Sequence, residues 1–162
     1  MLALDSQIIV KDKNKTQILP INGFFTSYRK TKLKKGQFIH SIRIPFLKQN
    51  IFKAYKISKR IDDDISSVFM AINANIKNNT FKSIKIVCGG MAEIPKIAKL
   101  TQKYLLNRKF NAENINEAKN IIAKEFNPID DMRASKEYRK KISQNLLERF
   151  LHEQNQINTA IY

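Results

Sequence analysis

The clearest pattern in the chain lies at residues 66–77. There Val68, Met70, Ile72, Ala74 and Ile76 hold a strict period of two, and Asn73, Asn75 and Lys77 face the other way. That alternation predicts a strand with one buried face. Asn78-Asn79 reads as a tight turn into a further strand, Phe81 to Cys88, with Ile84, Ile86 and Cys88 on one side. Two strands are predicted upstream. Phe38 to Pro45 places Phe38, His40, Ile42 and Ile44 on one face and Ile39, Ser41 and Arg43 on the other, and Pro45 ends it. Phe52 to Ser58 places Phe52, Ala54, Lys56 and Ser58 together. Short connections make these four strands antiparallel neighbours.

After Gly89-Gly90-Met91-Ala92 the period changes. Pro95 suits a first helical position, and Ile94, Ile97, Ala98, Thr101, Tyr104 and Leu105 form a stripe. Asn111 can cap a second helix with Ile115, Ala118, Ile122 and Phe126 inward, stopped by Pro128. Ser135 can cap a third, with Glu137 at the positive end of its dipole and Tyr138, Ile142, Leu146 and Phe150 as its apolar stripe. The predicted fold class is α+β: a four-stranded antiparallel sheet with three helices packed on one face. A short hairpin or arm precedes it, from Ile8-Ile9-Val10 and Ile18-Leu19-Pro20-Ile21 around the polar stretch Lys11 to Lys15. A lone hairpin is marginal in water, so this arm reads as the end of something larger. Phe24, Phe25 and Tyr28 read as an apolar plug under a loop. Stacking on nucleic-acid bases is the alternative. Beyond about Glu153 the chain turns polar and is expected to fray.

Composition narrows the class. One domain with a proper core is expected of 162 residues with 43% hydrophobic content. Thirty Lys and Arg against fourteen Asp and Glu give +16. The lysines are spread through every segment, so the charge predicts non-specific attraction to polyanions more than a built nucleic-acid site. The single cysteine, Cys88, excludes an internal disulfide and a cysteine-ligated cluster, and suits a reducing, cytoplasmic setting. No run of about 18 apolar residues spans a membrane, and no basic-then-apolar start reads as a secretory signal.

Chemistry is sparse. The four glycines, at 23, 36, 89 and 90, form neither Gly-x-Gly-x-x-Gly nor a Walker loop, so no convincing phosphate cradle is visible. No nucleophile with a base signature occurs, so no catalytic residue is assigned. No metal site is assigned either: the histidines 40 and 152 are far apart, and the adjacent carboxylates of Asp62, Asp63 and Asp64 splay from an extended segment. The stretch Tyr55 to Ile65 is the most charged connection in the chain and lacks glycine and proline. It reads either as a solvated turn or as a loop presenting charge to a ligand.

A set of short motifs comes in one order: Phe24-Phe25-Thr26-Ser27-Tyr28-Arg29-Lys30-Thr31, Ile42-Arg43-Ile44-Pro45, Tyr55-Lys56-Ile57-Ser58-Lys59-Arg60, Asp63-Asp64-Ile65, Gly89-Gly90-Met91-Ala92 and Asp131-Met132-Arg133-Ala134-Ser135. Tyr138-Arg139 and Asn145-Leu146-Leu147 continue it. Together they resemble the C-terminal part of the flavin subunit of molybdenum hydroxylases, the family of xanthine dehydrogenase and carbon monoxide dehydrogenase flavoproteins. The resemblance implies a domain at residues 23–151, preceded by the tail of an FAD-binding domain at 1–22 and followed by a frayed tail at 152–162. It implies a part in passing electrons from iron–sulfur clusters through FAD to NAD. Its implied FAD contacts are Ile39, packed on the cofactor, and Lys56, with Lys59, Arg60, Asp62, Asp63 and Asp64 in a loop near the flavin. Ile61 and Asp62 stand where the family commonly has arginine and glutamate. The implied partners are the rest of a flavin and iron–sulfur subunit and a molybdopterin-binding subunit, with self-association open. The chain is then expected to be a truncated, separately encoded, decayed or cut piece, inactive alone. The rival readings are a non-catalytic domain docked on a partner subunit and a basic nucleic-acid-binding module.

Overall fold

The structure is a computed structural model that describes residues 1–47, 49–60, 63–157 and 159. It divides into two compact units, Met1–Lys48 and Gln49–Tyr162. The expected boundary after residue 22 therefore falls inside the first unit.

In the first unit a 3-10 turn, Leu2–Leu4, precedes β1 (Gln7–Lys11) and β2 (Thr16–Pro20), which pair antiparallel as the predicted hairpin. Asp12 closes it, its Oδ1 accepting from the backbone N–H of Asn14 at 2.9 Å and of Lys15 at 3.0 Å. A two-stranded ribbon follows, β3 (Phe25–Ser27) and β4 (Lys30–Thr31). Next comes β5 (Phe38–Arg43), which pairs antiparallel with β1, so the sheet order is β2-β1-β5. A bulge at His40 breaks the register, since Ile9 faces Ser41 while Val10 faces Ile39. Ile8, Val10 and Phe24 are buried together, with Leu19, Ile21 and Leu33 packed on them. The expected plug is half realised: Phe24 is buried edge-on against Phe25, whose ring is exposed, and Tyr28 stands in solvent.

The second unit holds a four-stranded antiparallel sheet, order β6-β7-β8-β9, and three helices. Strands β6 (Ile51–Ile57), β7 (Val68–Lys77) and β8 (Thr80–Gly89) pair in sequence. Asn78 and Asn79 both take positive φ, 49° and 53°, which matches the twist of a two-residue hairpin turn. The predicted face of β7 is correct: Val68, Met70, Ile72 and Ala74 are buried and join the helices in one core with Phe81, Ile86, Leu105, Ile115, Ile122 and Phe150.

Two assignments change. The strand predicted at Phe38 to Pro45 is not the neighbour of Phe52 to Ser58; it joins the other sheet. The fourth strand is instead β9 (Lys96–Ile97), paired with Val87 and Cys88 of β8. Pro95 is thus not a helix start. The edge of β8 takes these residues as a strand, and the Ala98 N–H continues the pairing by donating to the Ile86 carbonyl at 2.9 Å. Helix α1 (Lys99–Leu105) follows. It has no cap of its own; Glu125 supplies one, accepting from Leu100 N at 2.8 Å, Thr101 N at 3.0 Å and Thr101 Oγ1 at 2.7 Å. Helix α2 (Ala112–Glu125) is capped by Asn111 and helix α3 (Lys136–Gln154) by Ser135, both as predicted. The inward face of α3 differs. It carries Arg139, Ser143, Leu146, Leu147, Phe150 and Leu151, while Tyr138 is 46% exposed. No helix among the described residues is long and apolar enough to cross a membrane.

Candidate functional site

Ile39 lies on β5 in the first unit, its side chain 44% exposed. Lys56 lies on β6 in the second unit, opposite Phe69 of β7. Period two puts Lys56, Phe52 and Ala54 on the sheet face turned away from the helices, and all three are exposed. That face offers aliphatic and aromatic surface with the ammonium of Lys56 at one end, the chemistry that can lie along a heterocyclic ring and answer negative charge.

The charged connection leaves β6 at Ser58. Its described residues hold one another. Ser58 Oγ donates to the Arg60 carbonyl at 2.7 Å, and the Arg60 N–H donates to Asp64 Oδ2 at 3.1 Å. The hydrogen bond from Arg60 is the main reason the Asp64 carboxyl is held below its ordinary range. Asp63 sits at φ 50°, a left-handed conformation that turns the chain back. Asp62 lies outside the described residues. Lys59 reaches across to the turn before α3, its Nζ donating to the Met132 carbonyl at 2.7 Å.

Two clefts of about 420 and 430 Å³ flank this crossing and share Lys59, Ser67, Met132 and Arg133. One continues along Ser58, Ser135 and Tyr138; the other along Arg60, Asp64 and Ile65. Together they form a polar groove with both signs of charge and the exposed side chains of Ile65 and Met132 at its lips. The structure thus brings Lys59, Arg60, Asp63 and Asp64 to one groove, and Lys56 does not line it.

Beneath the groove is a residue that periodicity missed. Arg139, 3% exposed, donates through Nη1 to the carbonyls of Ser67 and Gly90, and through Nη2 to Asp131 Oδ1 at 2.6 Å. Burial pushes the Asp131 carboxyl up, but hydrogen bonds from Arg133 N, Ala134 N and Arg139 outweigh it and hold the group below its ordinary range. Gly90 explains the glycine pair. At φ 76°, a Cβ there would stand 2.3 Å from the Ser67 carbonyl oxygen, so the pair serves a close approach of two backbones. The one signal in sequence was the Asp131-to-Arg139 motif pair; amphipathic reasoning alone assigns an arginine to the solvent side.

Among the described residues no cluster of three or more His, Cys, Asp or Glu could hold a metal ion. Cys88 is buried, which raises its thiol to about 12, so it is an inert core residue.

An antiparallel sheet running into three helices, with a charged connection over the start of the third, defines a two-layer α+β domain. Residues 53–154 match the family model described as the CO dehydrogenase flavoprotein C-terminal domain, and the chain belongs to that family. Residues 1–47 match the model described as the FAD binding domain in molybdopterin dehydrogenase. A xanthine dehydrogenase of Emericella nidulans is 34% identical over 112 residues, covering 67% of this chain and 8% of that protein. The xanthine dehydrogenase FAD-binding subunit of Escherichia coli O157:H7 is 23% identical over 154 residues, 94% of this chain and 53% of the relative. In fold, the chain is similar to a carbon monoxide dehydrogenase from Hydrogenophaga pseudoflava, with TM-score 0.84 at 20% identity over 91% of this chain and 52% of that one. The chain therefore spans about half the length of the flavin subunits it matches, and a small part of the fungal enzyme.

Proposed function

We propose that this chain is the C-terminal flavin-side portion of a xanthine dehydrogenase-like flavoprotein, and that it completes an FAD site with polypeptide outside its own sequence. The observation that carries the reading is the tiling of the chain by two adjacent flavoprotein models, residues 1–47 and 53–154. The side chains present fit the ring side of the cofactor. Ile39 offers an exposed aliphatic surface, and Lys56 an exposed ammonium opposite Phe69. They do not fit its pyrophosphate. Of the three glycines at positive φ, Gly90 is filled by the Ser67 carbonyl, Gly36 stands in open space and Gly23 lies near Lys32 Nζ; they are far apart in sequence and build no glycine-rich loop. The grip on the phosphates is assigned to polypeptide outside residues 1–162.

In this reading Ile39 packs on the ring, and Lys56 offsets negative charge on a phosphate or on the reduced ring. Lys59, Arg60, Asp62, Asp63 and Asp64 set the local field. FAD, when bound, supplies the redox chemistry that carries electrons from iron–sulfur clusters to NAD. The partners are the remainder of the flavin and iron–sulfur subunit and a molybdopterin-binding subunit.

Fusing this chain behind the part of the Escherichia coli FAD-binding subunit that has no counterpart here tests the idea. The fusion is expected to purify with flavin, seen by absorbance, while calorimetric titration of the lone chain with FAD gives weak or no binding. A fusion without flavin, or a sub-micromolar constant for the lone chain, overturns the reading. In the fusion, Lys56→Ala is expected to weaken flavin retention or lower its reduction potential; an unchanged affinity and potential removes Lys56 from the site.

A further inference from the structure

We propose that Arg139 is a positioning residue that locks the described parts of the charged β6–β7 connection, residues 58–60 and 63–67, in one orientation, so that Lys59, Arg60, Asp63 and Asp64 present a fixed field to whatever occupies the groove and the flavin side. The second half of that statement rests on the function proposed above; the first does not.

Arg139 joins three segments that are far apart in sequence. Ser67 is where the connection re-enters β7, and its N–H closes the loop base on the Ile57 carbonyl at 2.8 Å. Gly90 is the corner after β8, and Asp131 opens the turn before α3. The Asp131 carboxylate that Arg139 holds also builds that turn, accepting from Arg133 N at 2.8 Å and Ala134 N at 3.1 Å. The turn in turn grips the connection at both ends: Lys59 Nζ donates to the Met132 carbonyl at 2.7 Å, and Ser67 Oγ to the Arg133 carbonyl at 3.3 Å. One guanidinium thus fixes the loop directly at Ser67 and indirectly, through Asp131, at Lys59. Arginine suits the site because its planar fork meets the two carbonyls through Nη1 and the Asp131 carboxylate through Nη2, whereas the three donors of a lysine ammonium radiate from one nitrogen. Gly90 is required because any side chain would enter the space of the Ser67 carbonyl.

The full chain tests this by amide hydrogen exchange. Arg139→Lys and Asp131→Asn are expected to speed exchange at Arg60 and Ser67 by about tenfold or more and leave Met70 and Ile86 unchanged, since local openings are resolved from global ones. Asp131→Asn keeps side-chain volume and an acceptor for the turn, so it reports if Arg139→Lys does not fold. No change at Arg60 and Ser67, or an equal rise at all four amides, overturns the proposal in favour of a plain structural ion pair. In the flavin-loaded fusion, Arg139→Lys is expected to shift the flavin midpoint potential; bound flavin with an unchanged potential overturns the field-setting half. A wild-type fusion without flavin defeats the proposed function instead, and the exchange result then decides the locking half alone.

Discussion

The two units use their apolar residues in opposite ways. In the second, Val68, Met70, Ile72 and Ala74 of β7 are all buried, and this inner face meets three helices in one dense core. In the first, the core cluster is Ile8, Val10 and Phe24, while Phe25, Phe38, Ile39, Ile42, Ile44 and Phe46 are exposed, Phe46 to 89%. Strand β5 is exposed along most of its length and is an edge of its sheet. Scattered exposed apolar side chains are ordinary, but a whole strand with exposed residues on both faces is the mark of surface meant to be covered. The second unit thus buries its apolar side chains in a core of its own, whereas the first leaves much of its apolar surface exposed.

Substitutions can break or sharpen that contrast. The largest effect is expected in the second unit's core. Phe81 is fully buried and edge-on to Phe110 at 5.4 Å, so Phe81→Ala should cost about 3–5 kcal/mol in denaturant unfolding. A loss below about 1 kcal/mol would mean that this core is no tighter than the first unit's.

The next effect concerns the tie between β6 and the end of α3. Glu153 accepts from Arg149 Nε at 2.7 Å, Lys53 Nζ at 3.1 Å, Thr159 Oγ1 at 3.1 Å and Tyr55 Oη at 3.1 Å. Burial pushes its carboxyl up, but these donors prevail and bring it from 4.5 to about 2. Burial, and then the Glu153 charge, push the Tyr55 phenol well above its ordinary range, so Tyr55 remains a donor. A depressed carboxylate contributes stability above its unfolded value and loses it as pH falls through the folded one. Glu153→Gln should therefore cost on the order of 2 kcal/mol at neutral pH, and the gap from the wild type should close between about pH 4.5 and 2. A gap that stays constant down to pH 2 would exclude the carboxylate as its source.

A smaller effect is expected at Glu125. Glu125→Ala removes the borrowed cap of α1, and loss of a cap costs about 1 kcal/mol. Hydrogen exchange should rise at Leu100 and Thr101 first. The smallest is expected in the first unit: Ile42→Thr and Phe46→Ser, at exposed positions, should each change stability by less than about 0.5 kcal/mol. In the flavin-loaded fusion the same two changes should become costly if those side chains are covered there; thermal melts of both forms check this.

Much of the second unit was legible from local chemistry. Strands β6, β7 and β8, the Asn78-Asn79 turn and the caps at Asn111 and Ser135 follow from side-chain period and from what a few consecutive residues can do with their own backbone. The loop residues Lys59, Arg60, Asp63 and Asp64 were also singled out, because charge without glycine between two strands is visible in the chain itself. The remainder depended on partners distant in sequence. Strand 38–43 has a strand's pattern but not its neighbour's name, and the β1 edge in the first unit, not β6, paired with it. Lys96–Ile97 is too short to show a period, and only the free edge of β8 made it a strand. Arg139 looks like a solvated cation on a helix until Ser67, Gly90 and Asp131, from three other segments, converge on it. Backbone propensity and periodicity act over a turn or two of chain, so sequence decides elements and their faces. Sheet order and the burial of a charge need groups brought together from afar, and only the folded arrangement supplies them.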